Sequence, residues 1–253
     1  MTEDRAAPIH LDLDDRFYRH VEAAPFPQHI LRWRNDRAAA TVGLDALDDT
    51  AWVDHFGRFA PLPGNIEGPL ALCYHGHQFG HYNHELGDGR GFLFAQLRAD
   101  DGRILDLGTK GSGQTPFSRT ADGRLTLKGA VREIMATELL EALGVNTSKT
   151  FSVIETGESL QRHDEPSPTR AAVMVRLSHG HIRIGSFQRC RYLEDVEGIE
   201  MLMRHTARHH FAAELDADAP VNDLAPAFLA TVASRIAATA GSWMAAGFVH
   251  GLS

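Results

Sequence analysis

Between Asp106 and Thr120 the chain reads DLGTKGSGQTPFSRT, and Gly108 and Gly113 stand at the GxxxxG spacing of a nucleotidase phosphate loop. Of the Lys and Ser/Thr that such a loop places after its second glycine, the Lys is replaced, by Gln114, ahead of Thr115. The lysine present is Lys110, inside the interval. A phosphate loop also needs a helix to begin at once, so that its first amides meet the anion. Pro116, Phe117 and Ser118 do not start one that way. The glycine spacing therefore reads as coincidence, and Lys110 as the end of a strand entering a flexible loop.

Other residues nearby have the chemistry to bind an anion. In LGDGRG (86–91), Gly87, Gly89 and Gly91 let backbone N–H groups approach closely, and Arg90 offers a planar fork of donors suited to phosphate. The plain alternative is a turn carrying an exposed arginine. Counting by two along the strand, Lys110 shares a face with Ile104 and Asp106, away from Leu105, Leu107 and Thr109. A helix bearing Glu133 follows one loop later, and strand Lys with helix Glu is the ion pair by which protein kinases orient nucleotide phosphates. Against it, a carboxylate in a first helical turn is favoured by about 0.3–1 kcal/mol of dipole interaction without any catalytic role. Arg176 and Arg183 lie on two consecutive strand-like runs and could converge on one anion, or be surface arginines of a hairpin. Asp122-Gly123 reads as a turn.

The elements that must position these residues follow from periodicity. Residues 1–70 read as a loop-rich extension, with PFPQ (25–28) and PLPG (61–64) marking turns. GFLFAQLR (91–98), a turn at Asp100-Asp101-Gly102 and RILDLGTK (103–110) predict a β-hairpin. GAVREIMATELLEAL (129–143) predicts an amphipathic helix with apolar positions Val131, Ile134, Met135, Leu139 and Leu143, ended by Gly144. Strand-like runs follow at 150–156, 171–178 and 181–187. From about Glu194 the pattern becomes helical, including 221–250. The fold class is α+β: a β-rich half with one inserted helix, then an α half, with a ligand cleft expected between them.

With 253 residues, 43% hydrophobic and 23% charged, the chain has the composition of a soluble globular protein. A formal charge of −8 offers no chain-wide attraction for nucleic acid or an anionic membrane, and neither is an expected partner. The acidic N-terminus lacks a secretory core, no stretch approaches 18 uninterrupted apolar residues, and the expected compartment is the cytoplasm. Cys73 and Cys190 read as free thiols. Cys73, His75 and His77, with His81 and His84, invite a zinc reading, but their spacing fits no standard site and solvated histidines are the default. On a predicted helix His205 and His209 share a face at i, i+4, near His210, with no third ligand apparent.

In order along the chain, YHGHQFG (74–80), LGDGRG (86–91), TKGSGQTPFSRTADGR (109–124), VREIMATELLEALG (131–144), VRLSHGHIRIGSF (175–187) and WMAAGFVHG (243–251) resemble the blocks of the selenoprotein O family. The resemblance runs from about LDDRF (12–16) to the end of the chain. It implies a protein-kinase-like, two-lobed fold that binds ATP flipped and moves AMP onto Ser, Thr or Tyr hydroxyls of protein substrates, with Mg2+ or Mn2+. By motif position it implies that Gly87, Gly89 and Arg90 contact nucleotide, that Lys110 binds phosphate and pairs with Glu133, that Asp122 and Gly123 touch the nucleotide, and that Arg176 and Arg183 bind phosphate oxygens. The expected organisation is an extension over 1–70, a nucleotide-cradling lobe over 71–190 and the start of a helical lobe over 191–253. The family blocks NTDN and DYGP, which supply the catalytic Asp and the metal-binding Asn and Asp, do not occur before Ser253. No catalytic base or metal ligand is therefore expected within the chain, which reads as an inactive N-terminal portion. The alternatives are a non-catalytic, pseudokinase-like ATP-binding module and a kinase moving the γ-phosphoryl group.

Overall fold

The computed structural model describes residues 3–78 and 80–249. Two 3-10 turns, Glu3–Arg5 and Ile9–Asp12, precede strands β1 (Tyr18–His20) and β2 (Ile30–Arg34) and helices α1 (Asp36–Ala40) and α2 (Asp49–Phe56). Strands β3 (Leu70–Leu72), β4 (Gly76–Gln78), β5 (His81–Asn83), β6 (Leu93–Arg98), β7 (Ile104–Lys110) and β8 (Leu125–Thr126) lead into helix α3 (Leu127–Ala142). After it come β9 (Lys149–Leu160), β10 (Thr169–Ser178), α4 (Ile184–Tyr192), α5 (Val196–His210) and α6 (Val221–Ala245). The fold is thus mixed α+β. An eight-stranded sheet in the order β1-β3-β6-β7-β10-β9-β2, with β8 beside β10, pairs antiparallel throughout, while β4 and β5 pair separately.

The residues expected to form a loop-rich extension supply both edge strands, β1 and β2, and the helices that cover one sheet face. Trp52 and Phe56 of α2 pack with Phe151, Ile154, Val173 and Val175 of β9 and β10 in the main core. The opposite pleat, Val153, Ala172 and Met174, packs against α3 through Ala130. Strand alternation thus fixes which β10 side chains face α3, and Arg176 follows Ala172 and Met174 on that side. Helix starts are locally encoded: the side chains of Asn35, Asp48, Thr126 and Asp195 accept from backbone N–H groups of α1, α2, α3 and α5.

The expected hairpin is present as β6 and β7, with Gly102 in its turn at φ 82°. The helix ends near Gly144 as expected, φ 78°, but buries a different face. Val131, Met135, Leu139 and Leu143 are exposed, whereas Ala130, Thr137 and Leu140 are buried. Small residues let α3 lie close on the sheet, and Thr137 Oγ1 sits 3.0 Å from Thr150 Oγ1 of β9. The run 181–187 is not a strand: β10 ends at Ser178, Gly180 takes φ 152°, and Arg183 precedes α4. Ile182 and Phe187 were β-like in type because they are apolar, and they pack against Leu13, Cys190 and Leu202 instead. Cys73, His75 and His77 do not share a strand face either, since β3 stops at Leu72 and β4 belongs to the separate pair. Both cysteines are free and buried. By length and composition α6 could cross a membrane, but it carries Asp223 and Arg235 and borders an apolar groove with Phe187 and Met203.

Candidate functional site

Lys110 ends β7, directly opposite Met174 of β10, and Arg176 lies two positions farther along β10, opposite Gly108. Lys110 Nζ donates to Glu133 Oε1 of α3. Arg176 Nη1 approaches the other Glu133 oxygen at 3.7 Å. Helix α3 begins at Leu127, so Glu133 stands in its second turn, beyond the reach of the first-turn dipole argument. It shares with Ala130, Thr137 and Leu140 the face turned to the sheet. Arg176 Nε is buried and has no hydrogen-bond partner, a state that buried donors rarely occupy. Burial, joined by the cations of Arg90 and Arg176, pulls the Lys110 ammonium below its ordinary pKa against the opposing pull of Glu133.

The glycine loop 86–91 rests against the loop that follows β7. Cys73 bridges Gly87, Asp88 N donates to Leu72 O at 3.1 Å, and Gly111 N donates to Arg90 O at 2.7 Å. Thr115 Oγ1 donates to Asp88 O at 2.6 Å. A Cβ at Gly87 would collide with the Phe117 ring, and one at Gly91 with the Thr109 carbonyl. These glycines are therefore required by loop-on-loop packing, in addition to whatever they admit from solvent. Arg90 is exposed at the rim and has no ion-pair partner among the described residues.

Arg183, just before α4, closes the far side. Its Nη2 lies 3.1 Å from Asp88 Oδ1, and its guanidinium stacks 4.7 Å from the centre of the Tyr74 ring. Burial works against the Arg183 cation, and Asp88 and Tyr74 more than offset it, so its pKa is raised. Beneath it, His181 Nδ1 is 3.0 Å from Asp106 Oδ2, and Gln96 Nε2 donates to Asp106 Oδ1 at 2.7 Å. Burial alone would raise the Asp106 carboxyl; these two hydrogen bonds hold it below the usual carboxylate range. Gly108 is needed here, because a Cβ would strike the His181 ring.

Gly89, Arg90, Lys110, Arg176 and Arg183 thus border one cleft of about 150 Å³, together with Tyr74, Asp88 and His181. That volume suits a phosphate chain and is below the usual 300–1,000 Å³ of a whole small-molecule pocket. Gly87, Asp122 and Gly123, also expected to contact nucleotide, do not line it. Asp122 is exposed and pairs with Arg162 at 2.8 Å, while Gly123, at φ 69°, packs on the Gly113 backbone and accepts from Gly113 N at 3.2 Å. Asp88, Tyr74 and His181 escaped the reading of the sequence. Asp88 was legible as the one carboxylate inside LGDGRG; Tyr74 and His181 carry no local signal. Among the described residues, no metal-ligand cluster forms around Cys73 to His84.

A family model described as protein adenylyltransferase SelO matches residues 3–252. The protein nucleotidyltransferase YdiU of Synechocystis sp. is 48% identical over 242 residues, covering 95% of this chain and 50% of the relative. The YdiU of Synechococcus elongatus is 48% identical over 251 residues, covering 96% and 48%. That of Alkalilimnicola ehrlichii is 37% identical over 245 residues, covering 95% and 47%. The chain spans about half the length of these curated relatives.

Proposed function

The chain belongs to the protein adenylyltransferase SelO family, and we propose that its cleft holds the phosphates of ATP for AMP transfer to Ser, Thr or Tyr hydroxyls of protein substrates. The observation that carries this reading is the buried, unpartnered Arg176 Nε beside the Lys110–Glu133 pair: a donor without an acceptor, next to other cations. A phosphate oxygen is the acceptor such a site lacks, and charge-assisted bonds to it are among the stronger hydrogen bonds proteins make. The β sheet with a Glu-bearing helix, followed by helices α4–α6, supports a protein-kinase-like, two-lobed arrangement around this cleft.

In the proposed reaction the substrate hydroxyl oxygen bonds to the α-phosphorus of ATP, and the bond from that phosphorus to the α,β-bridging oxygen breaks. Pyrophosphate leaves with the bonding pair, and the hydroxyl proton passes to a base. Arg90, Lys110, Arg176 and Arg183 neutralise the phosphates, and Glu133 and Asp88 hold three of these cations, Lys110, Arg176 and Arg183, in place. Mg2+ or Mn2+, implied by the family, does not fit the cleft residues described. Asp88 is the carboxylate that lines the cleft and Glu133 stands behind Lys110, and both are already engaged, by Arg183 and by Lys110 with Arg176. For the same reason neither is placed to take the proton.

This engagement also favours the second reading for the chain taken alone, a module that binds ATP without transferring any part of it. Incubation with a proteome and either α- or γ-labelled ATP separates the readings. In a protein of the relatives' full length, α-label enters protein; label from the γ-position would instead identify a kinase. The chain alone is expected to retain ATP with little incorporation of either label. Incorporation at the rate of a full-length relative would contradict the module reading.

A further inference from the structure

We propose that Asp12, His205 and His209 form a divalent-cation site, best matched to Zn2+, that ties the N-terminal turn to helix α5. His205 and His209 stand one helical turn apart on α5, which brings their rings together with centroids 4.7 Å apart. The third ligand comes from the opposite end of the chain. Asp12 closes the 3-10 turn Ile9–Asp12, and its neighbours Leu13 and Phe17 pack with Cys190 and Leu202, which anchors that turn against the helix.

One ligand atom from each of the three residues lies within 4.8 Å of the others. His209 Nε2 and Asp12 Oδ2 are 3.3 Å apart. Tetrahedral zinc with ligands at about 2.0–2.1 Å has ligand-to-ligand edges of about 3.3 Å. The Asp12–His209 edge already has that length. The remaining edges need to close by no more than about 1.5 Å, and the Asp12 side chain, 63% exposed at the end of a short turn, is free to move.

A second observation points to a ligand. His205 is 5% exposed, and neither of its ring nitrogens has a hydrogen-bond partner among the described residues; Nε2 is fully buried. Buried polar atoms are normally satisfied, and an ion would satisfy an imidazole nitrogen here. The arginines of the same cleft are directed elsewhere. Arg204 pairs with Glu200 and donates to the carbonyls of Ala217 and Ala219, and Arg208 pairs with Asp218. Glu197 and Glu200 add negative charge to the cleft wall, and its open side leaves room for a water as fourth ligand. None of the three ligands lines the phosphate cleft, so the ion would act as a clip between distant segments.

The test is titration of the metal-free full chain with Co2+, read by its visible d–d absorption, followed by displacement with Zn2+ and melting with and without Zn2+. One Co2+ per chain with nitrogen ligation, displacement by Zn2+ and a higher melting temperature are expected. Asp12→Ala, which removes an exposed carboxylate, should weaken binding at least about 10-fold and abolish the rise in melting temperature, as should His209→Ala. Should His209→Ala fail to fold, Asp12→Ala decides alone. Absence of binding, or equal binding by the wild type and folded Asp12→Ala, would overturn the proposal and in the latter case assign the metal to other histidines.

Discussion

At the scale of single residues, the cleft is a case of charge held in place against its own repulsion. Lys110, Arg176 and Arg183 lie close together, and Glu133 and Asp88 each restrain part of that charge. Burial lowers the Lys110 pKa against the pull of Glu133, with Arg90 and Arg176 adding to the shift, and an arriving phosphate would oppose it. Behind the cleft lies a second titratable group, His10, whose backbone N–H donates to Gln96 Oε1 at 2.7 Å while its ring Nε2 has no partner. Burial, partly opposed by Asp106, lowers its pKa from 6.5 to about 4. Between these values the unfolded chain takes up a proton that the folded chain refuses. The stability due to His10 is therefore complete above pH 6.5 and declines by about 3 kcal/mol as the pH falls to 4. Denaturant unfolding of wild type and His10→Asn at pH 7 and pH 4.5 measures this: the wild type's advantage should shrink or reverse at the lower pH. An advantage independent of pH would show that His10 is not held neutral.

At the scale of elements, α3 is the informative case. Its most apolar stripe, Val131, Met135, Leu139 and Leu143, faces outward, and the rotation that exposes it turns Glu133 towards Lys110. Leu140→Ala should therefore cost about 2–5 kcal/mol, while Met135→Ala should change stability by no more than about 0.5 kcal/mol, although both are apolar positions of one helix. Chemical denaturation of the two variants checks the order, and equal losses would contradict the observed rotation. The hairpin β6–β7 and the strands β9 and β10 were legible because period-two alternation and the turn around Gly102 are local signals. The rotation of α3 was not, since it is set by contacts of Ala130 and Thr137 with strands distant in sequence. Nor was α4, whose Ile184 and Phe187 resemble strand residues but follow a left-handed Gly180. The cleft was legible in its cations; its restraint by Asp88 and Tyr74 depends on where Arg183 comes to rest.

At the scale of the whole molecule, the sheet and the helices that follow it meet where Arg183 enters α4, so the cleft bordered by Lys110, Arg176 and Arg183 depends on the β-rich part and the start of the α-rich part together. The loop 86–91 borders it and is held by the loop 111–118, and α3 braces it from behind through Glu133. If this architecture exists to grip a polyphosphate, its affinity should reside in the cleft cations and not in surface charge. The direct measurement is equilibrium binding of ATP to the full chain by calorimetry, with Lys110→Ala compared against Lys128→Ala, whose lysine is exposed, pairs with Glu165 and lies outside the cleft. Lys110→Ala is expected to weaken ATP binding about 10-fold or more, and Lys128→Ala to leave it within about twofold. Wild-type affinity in Lys110→Ala would contradict the assignment of this cleft to phosphate.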